Sequence, residues 1–331
     1  MTGVSEHGPW IDLHAHPGRC FLAGYNDTAP LVQRLGRSTV ASAVHAAGEA
    51  GVCCVSVSTV ADLAVLAPQP DGGLGAARAF EPGEARNDHD QQLAGLKSAF
   101  DDVHQVRSAA DIRAAHERGT GSAFVSCEGA DFLDGQLDGL GPAVDLGARM
   151  ITLVHYRVNE LGDIQTEAPR HGGLTAFGAD VVREMNRLGV MVDLAHATFE
   201  TTVGALEISE DPIVISHSHL AGPGAGHPRL LTDDHARVVA DAGGLIGAWP
   251  AGVTAQTLGE YVDEICRLVE LIGVDRVAIG TDLDANYRPV LTEYRQFEDV
   301  ANDLSGRGFQ PREIDAMLGG NVLQLFEHVC G

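Results

Sequence analysis

Six apolar runs in this 331-residue chain end in a residue that can bind a metal ion or move a proton. The first ends in Asp12-Leu13-His14-Ala15-His16. Glu128 follows the run at 123–126, and His155 follows the run at 150–154. His196 closes Asp193-Leu194-Ala195-His196, and His217 and His219 close Ile215-Ser216-His217-Ser218-His219. Asp282 stands in Ile279-Gly280-Thr281-Asp282-Leu283-Asp284. A lone histidine is usually a surface group or a satisfied core group, but six runs ending alike point to one shared centre. His14 and His16 lie two apart on a strand, so their side chains share a face and can reach one ion. Imidazole and carboxylate together suit Zn²⁺ and its neighbours in the divalent series. A carboxylate among several histidines can bridge two cations, and two cations about 3.5–4 Å apart lower the pKa of a bridging water enough to supply hydroxide at neutral pH. A further carboxylate must accept the proton of that water and hand it to the leaving group. Asp282, after the last run, is placed for that role.

The runs themselves lie at 10–13, 52–58, 123–126, 150–154, 190–194, 213–216, 244–248 and 276–280. They are almost continuously apolar, as expected of strands covered by helices on one face and packed on the other. Amphipathic helix patterns separate them, for example at 179–188, 234–241 and 258–272, with Gly189 and Gly273 placed for left-handed C-caps. Eight strand–helix units in a chain of this length predict a (β/α)8 TIM-type barrel with its active site at the C-terminal ends of the strands. One segment breaks the rhythm: 61–121 holds a loop rich in Pro, Gly and Ala at 67–83, then helix patterns at 88–106 and 109–118. The expectation is a single domain spanning 1–331, with this elaborated segment between strands two and three.

Charge narrows the partners. The chain carries 46 acidic and 22 basic side chains, a formal net charge of −24, and Lys97 is its single lysine. Such a surface repels phosphate, which argues against nucleic acid and anionic membranes. No apolar stretch reaches the length of a membrane span, and Met1–Pro9 lacks the basic start and long apolar core of a secretory signal. The six cysteines show no C-x-x-C pair and read as buried thiols, which predicts a reducing, cytoplasmic location.

The ordered motifs resemble the membrane (renal) dipeptidase family of the amidohydrolase superfamily, from Ile11 to Phe326. The most specific piece is Gly173-Leu174-Thr175-Ala176-Phe177-Gly178, continuing through Val182-Arg183-Glu184-Met185-Asn186-Arg187-Leu188-Gly189 to His196. Pro212-Ile213-Val214-Ile215-Ser216-His217-Ser218, Gly243-Gly244-Leu245-Ile246 and Gly280-Thr281-Asp282-Leu283-Asp284 also fit, and Gly319-Gly320-Asn321 with Leu325-Phe326 resembles the family's closing helix. The resemblance implies a binuclear zinc dipeptidase, with two Zn²⁺, a small dipeptide substrate and a homodimeric assembly. By position, His14 and His16 bind the first metal, Glu128 bridges, and His196 and His217 bind the second. His155 polarises the scissile carbonyl, Arg229 holds the substrate's C-terminal carboxylate, and Asp282 activates the bridging water. One departure stands out: the family usually has His-x-Asp where this chain has His14-Ala15-His16. The Gly- and Pro-rich segment Gly222-Pro223-Gly224-Ala225-Gly226-His227-Pro228 forms part of the expected substrate rim.

Other polar residues have plainer readings. His219 is an alternative ligand, a substrate contact or a solvent-facing loop residue. His171 and His227 read as loop residues, and His45, His89, His104, His116, His235 and His328 as surface residues. Asp12, Asp193 and Asp284 either orient ligand histidines or are strand-end charges. Cys53, Cys54 and Cys127 read as core thiols, and Trp249 either walls the pocket or packs ordinarily. Gly72-Gly73-Leu74-Gly75 has neither the strand nor the lysine of a phosphate loop. Three alternatives to a dipeptidase remain: an amidohydrolase for another small amide such as an N-acyl amino acid, an inactive binding homologue, and a metal-dependent deoxyribonuclease, which the charge disfavours.

Overall fold

The computed structural model describes residues 7–70, 73–222, 226–253 and 255–331. Eight parallel strands form a nearly closed barrel with helices around it: β1 (Trp10–Asp12), β2 (Val52–Val60), β3 (Ser122–Glu128), β4 (Ala148–Thr152), β5 (Met191–Asp193), β6 (Val214–Ser218), β7 (Leu245–Ala248) and β8 (Val277–Ile279). Each falls on one of the eight apolar runs, and the fold is the expected (β/α)8 barrel. The ring is drawn together between β8 and β1, where the Leu13 N–H donates to the Ile279 carbonyl (2.9 Å) and the Asp282 N–H to the His14 carbonyl (2.8 Å). Asp12 reinforces that seam, because its carboxylate accepts from both the backbone N–H and the hydroxyl of Thr281.

The helices after β4 to β7 begin alike. Thr175, Thr198, Thr232 and Thr257 each precede a helix (Ala176–Leu188, Phe199–Leu206, Asp233–Asp241, Leu258–Ile272) and accept a hydrogen bond from a backbone N–H of its first turn. These caps satisfy donors the helix cannot pair internally, and each is worth about 1 kcal/mol. Gly189 ends the first of these helices in the expected left-handed conformation, φ 67° and ψ 46°. Gly273 does not: at φ 86° and ψ 154° it lies outside the left-handed helical region and leads into a short 3-10 turn, Val274–Arg276, before β8.

The segment between β2 and β3 is elaborated as expected. It contains the helices Glu84–Ala99 and Ala109–Arg118 and an antiparallel hairpin, Leu66–Pro68 with Leu74–Ala76, inside the stretch read as loop. His104–Gln105 adds a short strand beside β3. The first helix starts and ends earlier than its polar pattern suggested. Its residue His89 is fully buried, against the surface reading, because its Nε2 lies 2.9 Å from the Thr59 hydroxyl and its ring stacks on Phe132. His235 is buried for the same kind of reason, with Thr202 as partner at 2.8 Å. His45, His104, His171, His227 and His328 are exposed.

The bottom of the barrel is apolar. Ile11, Leu13, Phe124, Met150 and Met191 meet Val322, Leu325, Phe326 and Val329 of the C-terminal helix Asn321–Cys330, which caps that end. Asn321 fixes the helix by donating to the carbonyls of Val274 (2.9 Å) and Val277 (2.8 Å). Glycine is required where the strands crowd: a methyl group at Gly247 or Gly280 would lie 1.9 Å from the Ser216 carbonyl oxygen. Cys53, Cys54 and Cys127 are buried, as are Cys20, whereas Cys266 and Cys330 are only partly so, and all six are free thiols. No helix among the described residues is long and apolar enough to cross a membrane.

If the C-terminal helix is an integral floor, Phe326→Ala should lower the unfolding free energy by about 3–5 kcal/mol, since the ring is fully buried edge-on to Phe124 at 5.5 Å. Urea denaturation measures this, and an unchanged midpoint would show the helix to be dispensable packing.

Candidate metal centre

The polar end of the barrel is built around one carboxylate. Glu128 is the last residue of β3 and is 3 % exposed. Its Oε1 lies 3.1 Å from His196 Nε2, 3.4 Å from His14 Nε2 and 3.6 Å from His217 Nε2. Its Oε2 lies 3.3 Å from both His16 Nε2 and His155 Nε2. Asp282 joins at the edge, with Oδ1 3.4 Å from His16 Nε2. The structure thus brings together all seven of these residues singled out from the sequence. The donors cluster as His14, His16 and Asp282; as His14, Glu128 and His217; and as Glu128, His155 and His196.

These separations fit metal ligands. Two donors on one tetrahedral Zn²⁺, each about 2.1 Å from it, stand roughly 3.4 Å apart. A charged hydrogen bond would be shorter, about 2.7–2.9 Å. His14 Nε2 and His16 Nε2 are buried and have no hydrogen-bond partner among the described residues, although both face Glu128. His16 Nδ1 is 2.8 Å from the Ser58 carbonyl, so Nδ1 carries the proton and Nε2 turns its lone pair inward.

Electrostatics grade the histidines. Burial depresses His196 and His217 well below the ordinary imidazole value, and neighbouring Arg229 lowers both further. They are therefore neutral at pH 7, as ligands must be. Burial also opposes charge on His155, but Asp62 and Glu128 outweigh it and raise its pKa. Burial alone would raise Glu128; the positive potential of His155 and His14 holds it well below the usual carboxylate range.

Two ligand-bearing strand ends adopt unusual backbone. His196 has φ 68° and Asp282 has φ 55°, a region that non-glycine residues occupy only when their surroundings compel it. Trp249, after β7, donates its indole N–H to Asp282 Oδ2 at 3.2 Å, so it does wall the site. Asp193 takes the Ser216 hydroxyl at 2.7 Å, and that oxygen is 3.0 Å from His217 Nδ1. Asp12 instead serves the β1–β8 seam, and Asp284 accepts from the Gly18 N–H at 2.6 Å. His219 is fully buried rather than solvent-facing and lies outside the donor clusters, its ring 6.1 Å from Trp249.

Arg229 is 1 % exposed. Its guanidinium donates to Gln165 Oε1 at 2.7 Å, lies 3.1 Å from His217 Nε2 and stands over Trp249, with Cζ 5.5 Å from the ring centroid. It makes no ion pair among the described residues, and a buried cation gains strongly from an anion brought beside it. Gln165 is tied to the site by its backbone N–H, which donates to the His196 carbonyl at 2.8 Å, and nearby Asp163 accepts the backbone N–H groups of Arg170, His171, Gly172 and Gly173. Of the expected rim, Pro223, Gly224 and Ala225 lie outside the described residues.

Asp62, Tyr156 and Gln165 were not singled out from the sequence. Asp62 had a signal, since it lies two residues after β2, but the apolar run ends at 58 whereas the strand continues to Val60.

The profile of the family described as membrane dipeptidase (peptidase family M19) matches residues 47–330. Glu128, His155, His196, His217, Arg229 and Asp282 lie within the match, and His14-Ala15-His16 lies before it. The dipeptidase aclJ of Aspergillus oryzae is 31% identical over 228 residues, 65% of this chain and 54% of its own length. The chain spans little more than half the length of the curated relatives it matches. Among solved structures, a metallopeptidase described as dipeptidase AC superposes with a TM-score of 0.81 at 21% identity, covering 98% of this chain and 100% of its own. A Rhodobacter sphaeroides metallopeptidase, liganded with a phosphinate mimic of the dipeptide L-Ala-D-Ala, superposes with a TM-score of 0.80 at 20% identity, with the same coverage.

A site of this kind should couple metal to stability. Adding Zn²⁺ to chelator-stripped protein is expected to raise its unfolding temperature, because an ion that binds only the folded state adds about 2.7 kcal/mol at a hundredfold excess over its Kd. Glu128→Ala should lose most of that gain. Equal shifts in both proteins would place the ion elsewhere.

Proposed function

Because the chain belongs to the membrane dipeptidase family, peptidase family M19, we propose that it is a metal-dependent dipeptidase. The observation that carries this reading is the buried Arg229, which shares its environment with the five histidines around Glu128 and brings a carboxylate-binding group to a metal centre. His14, His16, Glu128, His196 and His217 would hold two divalent cations, zinc in the first instance. What the cations supply when bound is Lewis acidity, which polarises a carbonyl and makes a water acidic near neutral pH.

The chain's own groups do the rest. Arg229 pairs with the substrate's free α-carboxylate through its planar fork, which limits substrates to those with a single residue after the scissile bond. His155 presents Nε2 to the carbonyl oxygen and donates to it as negative charge develops there. Asp282 takes the proton of the attacking water on the carboxylate that Trp249 and His16 orient, and returns it to the departing amine nitrogen. Bound amide and water thereby become a free amine and a carboxylic acid. A reducing, cytoplasmic setting belongs to the same proposal and is supported by six free thiols; native protein found only in an oxidising compartment would count against it.

The carboxylate requirement also admits N-acyl amino acids, whose leaving group is the same. A substrate panel separates these readings: dipeptides with L or D second residues, tripeptides and N-acyl amino acids. Dipeptides should be cleaved and tripeptides spared. Asp282→Asn is expected to lower kcat about 10²–10⁴-fold. Arg229→Met should act mainly through KM, with a loss of about 2–5 kcal/mol in kcat/KM. Wild-type turnover by Asp282→Asn would overturn the mechanism, and preference for tripeptides would overturn the role of Arg229.

A further inference from the structure

We propose that Asp62 is a positioning residue of the reaction: its single carboxylate fixes the His155 ring and the Tyr156 main chain together, so that His155 Nε2 stays aimed at Glu128 and the carbonyl beside it. The proposal rests on the catalytic role given to His155 above.

Asp62 is fully buried, two residues beyond the end of β2. Its Oδ1 accepts from His155 Nδ1 at 2.7 Å, and its Oδ2 accepts the backbone N–H of Tyr156 at 3.0 Å. Two consecutive residues of the loop after β4 are thus held by one group from the loop after β2. The Ala61 N–H donates to the Glu128 carbonyl at 2.8 Å, so the segment carrying Asp62 is tied to the residue that faces the other side of the ring. Asp62 and Glu128 therefore bracket His155, one at Nδ1 and the other 3.3 Å from Nε2. Turning the ring over about its Cβ–Cγ bond would set a carbon against Oδ1 and lose that bond. The second bond extends the effect, because the Tyr156 ring packs edge-on to His155 and His196, with centroids 4.5 and 5.0 Å away.

Both oxygens of Asp62 face N–H donors, so an amide is a poor substitute. Asparagine has one acceptor and one donor, so it can serve both partners only if its NH2 faces a His155 Nδ1 that has lost its proton, which leaves the ring uncharged and a weaker donor at Nε2. Outer partners of this kind typically contribute about 10–100-fold to activity when removed, and a displacement near 1 Å at a reacting group costs roughly 10²-fold.

The test compares wild type, Asp62→Asn, Asp62→Ala, His155→Ala and the double variant His155→Ala with Asp62→Asn. It uses whichever amide of the panel above the wild type hydrolyses. Asp62→Asn is expected to lower kcat about 10–100-fold, with KM within about threefold of wild type. The double variant should be no slower than His155→Ala, because Asp62 acts through that ring. Losses that multiply in the double variant would assign Asp62 a general structural role and overturn the proposal. A second reading needs no turnover: proton NMR should show a solvent-protected imidazole N–H resonance from His155 Nδ1 that disappears in His155→Ala and in Asp62→Ala. Its persistence in Asp62→Ala overturns the positioning. If no amide of the panel is cleaved, the function proposed above fails and the resonance alone decides whether Asp62 holds the ring.

Discussion

The arrangement turns on one buried carboxylate. Glu128 is 3 % exposed with no arginine or lysine paired to it among the described residues, and five imidazole nitrogens surround it instead. A buried anion is costly unless its surroundings compensate. His196 and His217, held neutral by burial, compensate only in part, because the lone pairs they turn inward face the carboxylate's own. A cation between them satisfies both sets of lone pairs at once, and this is why the residue types and their separations suit metal ligation better than a hydrogen-bonded network.

Holding that cluster is a demand on the barrel. Its side chains come from the ends of β1, β3, β4, β5 and β6 and from the loop after β8, so each strand must end at the right height. The Asp12–Thr281 contacts fix β1 against β8, and Asp193 links β4, β5 and β6 through Thr152 and the Ser216 main chain and hydroxyl. Positive φ at His196 and Asp282 is local strain at the positions where aim matters most. The apolar floor below contributes packing and no chemistry, so stability and function are divided between the two ends of the barrel, as in other folds of this class.

Much of this was legible in the sequence for a physical reason. Parallel strands sheathed by helices are apolar throughout, so all eight stand out as runs, and the residue at the end of each run is the one that reaches the site. The same rule fails when a strand outlasts its apolar run. Ser58 and Thr59 interrupt the apolar run of β2, and Asp62 is hidden behind them although it is as fully buried as Asp12 and Asp193. His89 and His235 were misread because a polar helix pattern does not reveal a hydroxyl waiting on the barrel: Thr59 and Thr202 each supply one. The hairpin at Leu66–Pro68 and Leu74–Ala76 is too short for alternation to show.

His16 bears on the charge of the centre itself. With an aspartate at position 16, as the family resemblance leads one to expect, three carboxylates would face the cations; among the described residues Glu128 and Asp282 are the two carboxylates in the donor clusters, and Arg229 adds a buried positive charge beside them. Two divalent cations would therefore be less fully neutralised by the protein. The residual positive potential would favour an anionic substrate over a neutral one, which would reinforce the selection for a free carboxylate proposed for Arg229. The −24 net charge works in the opposite direction at long range. Salt screens exposed charges beyond about 8–10 Å and buried ones much less, so the acidic surface governs solubility while the pocket retains its own sign.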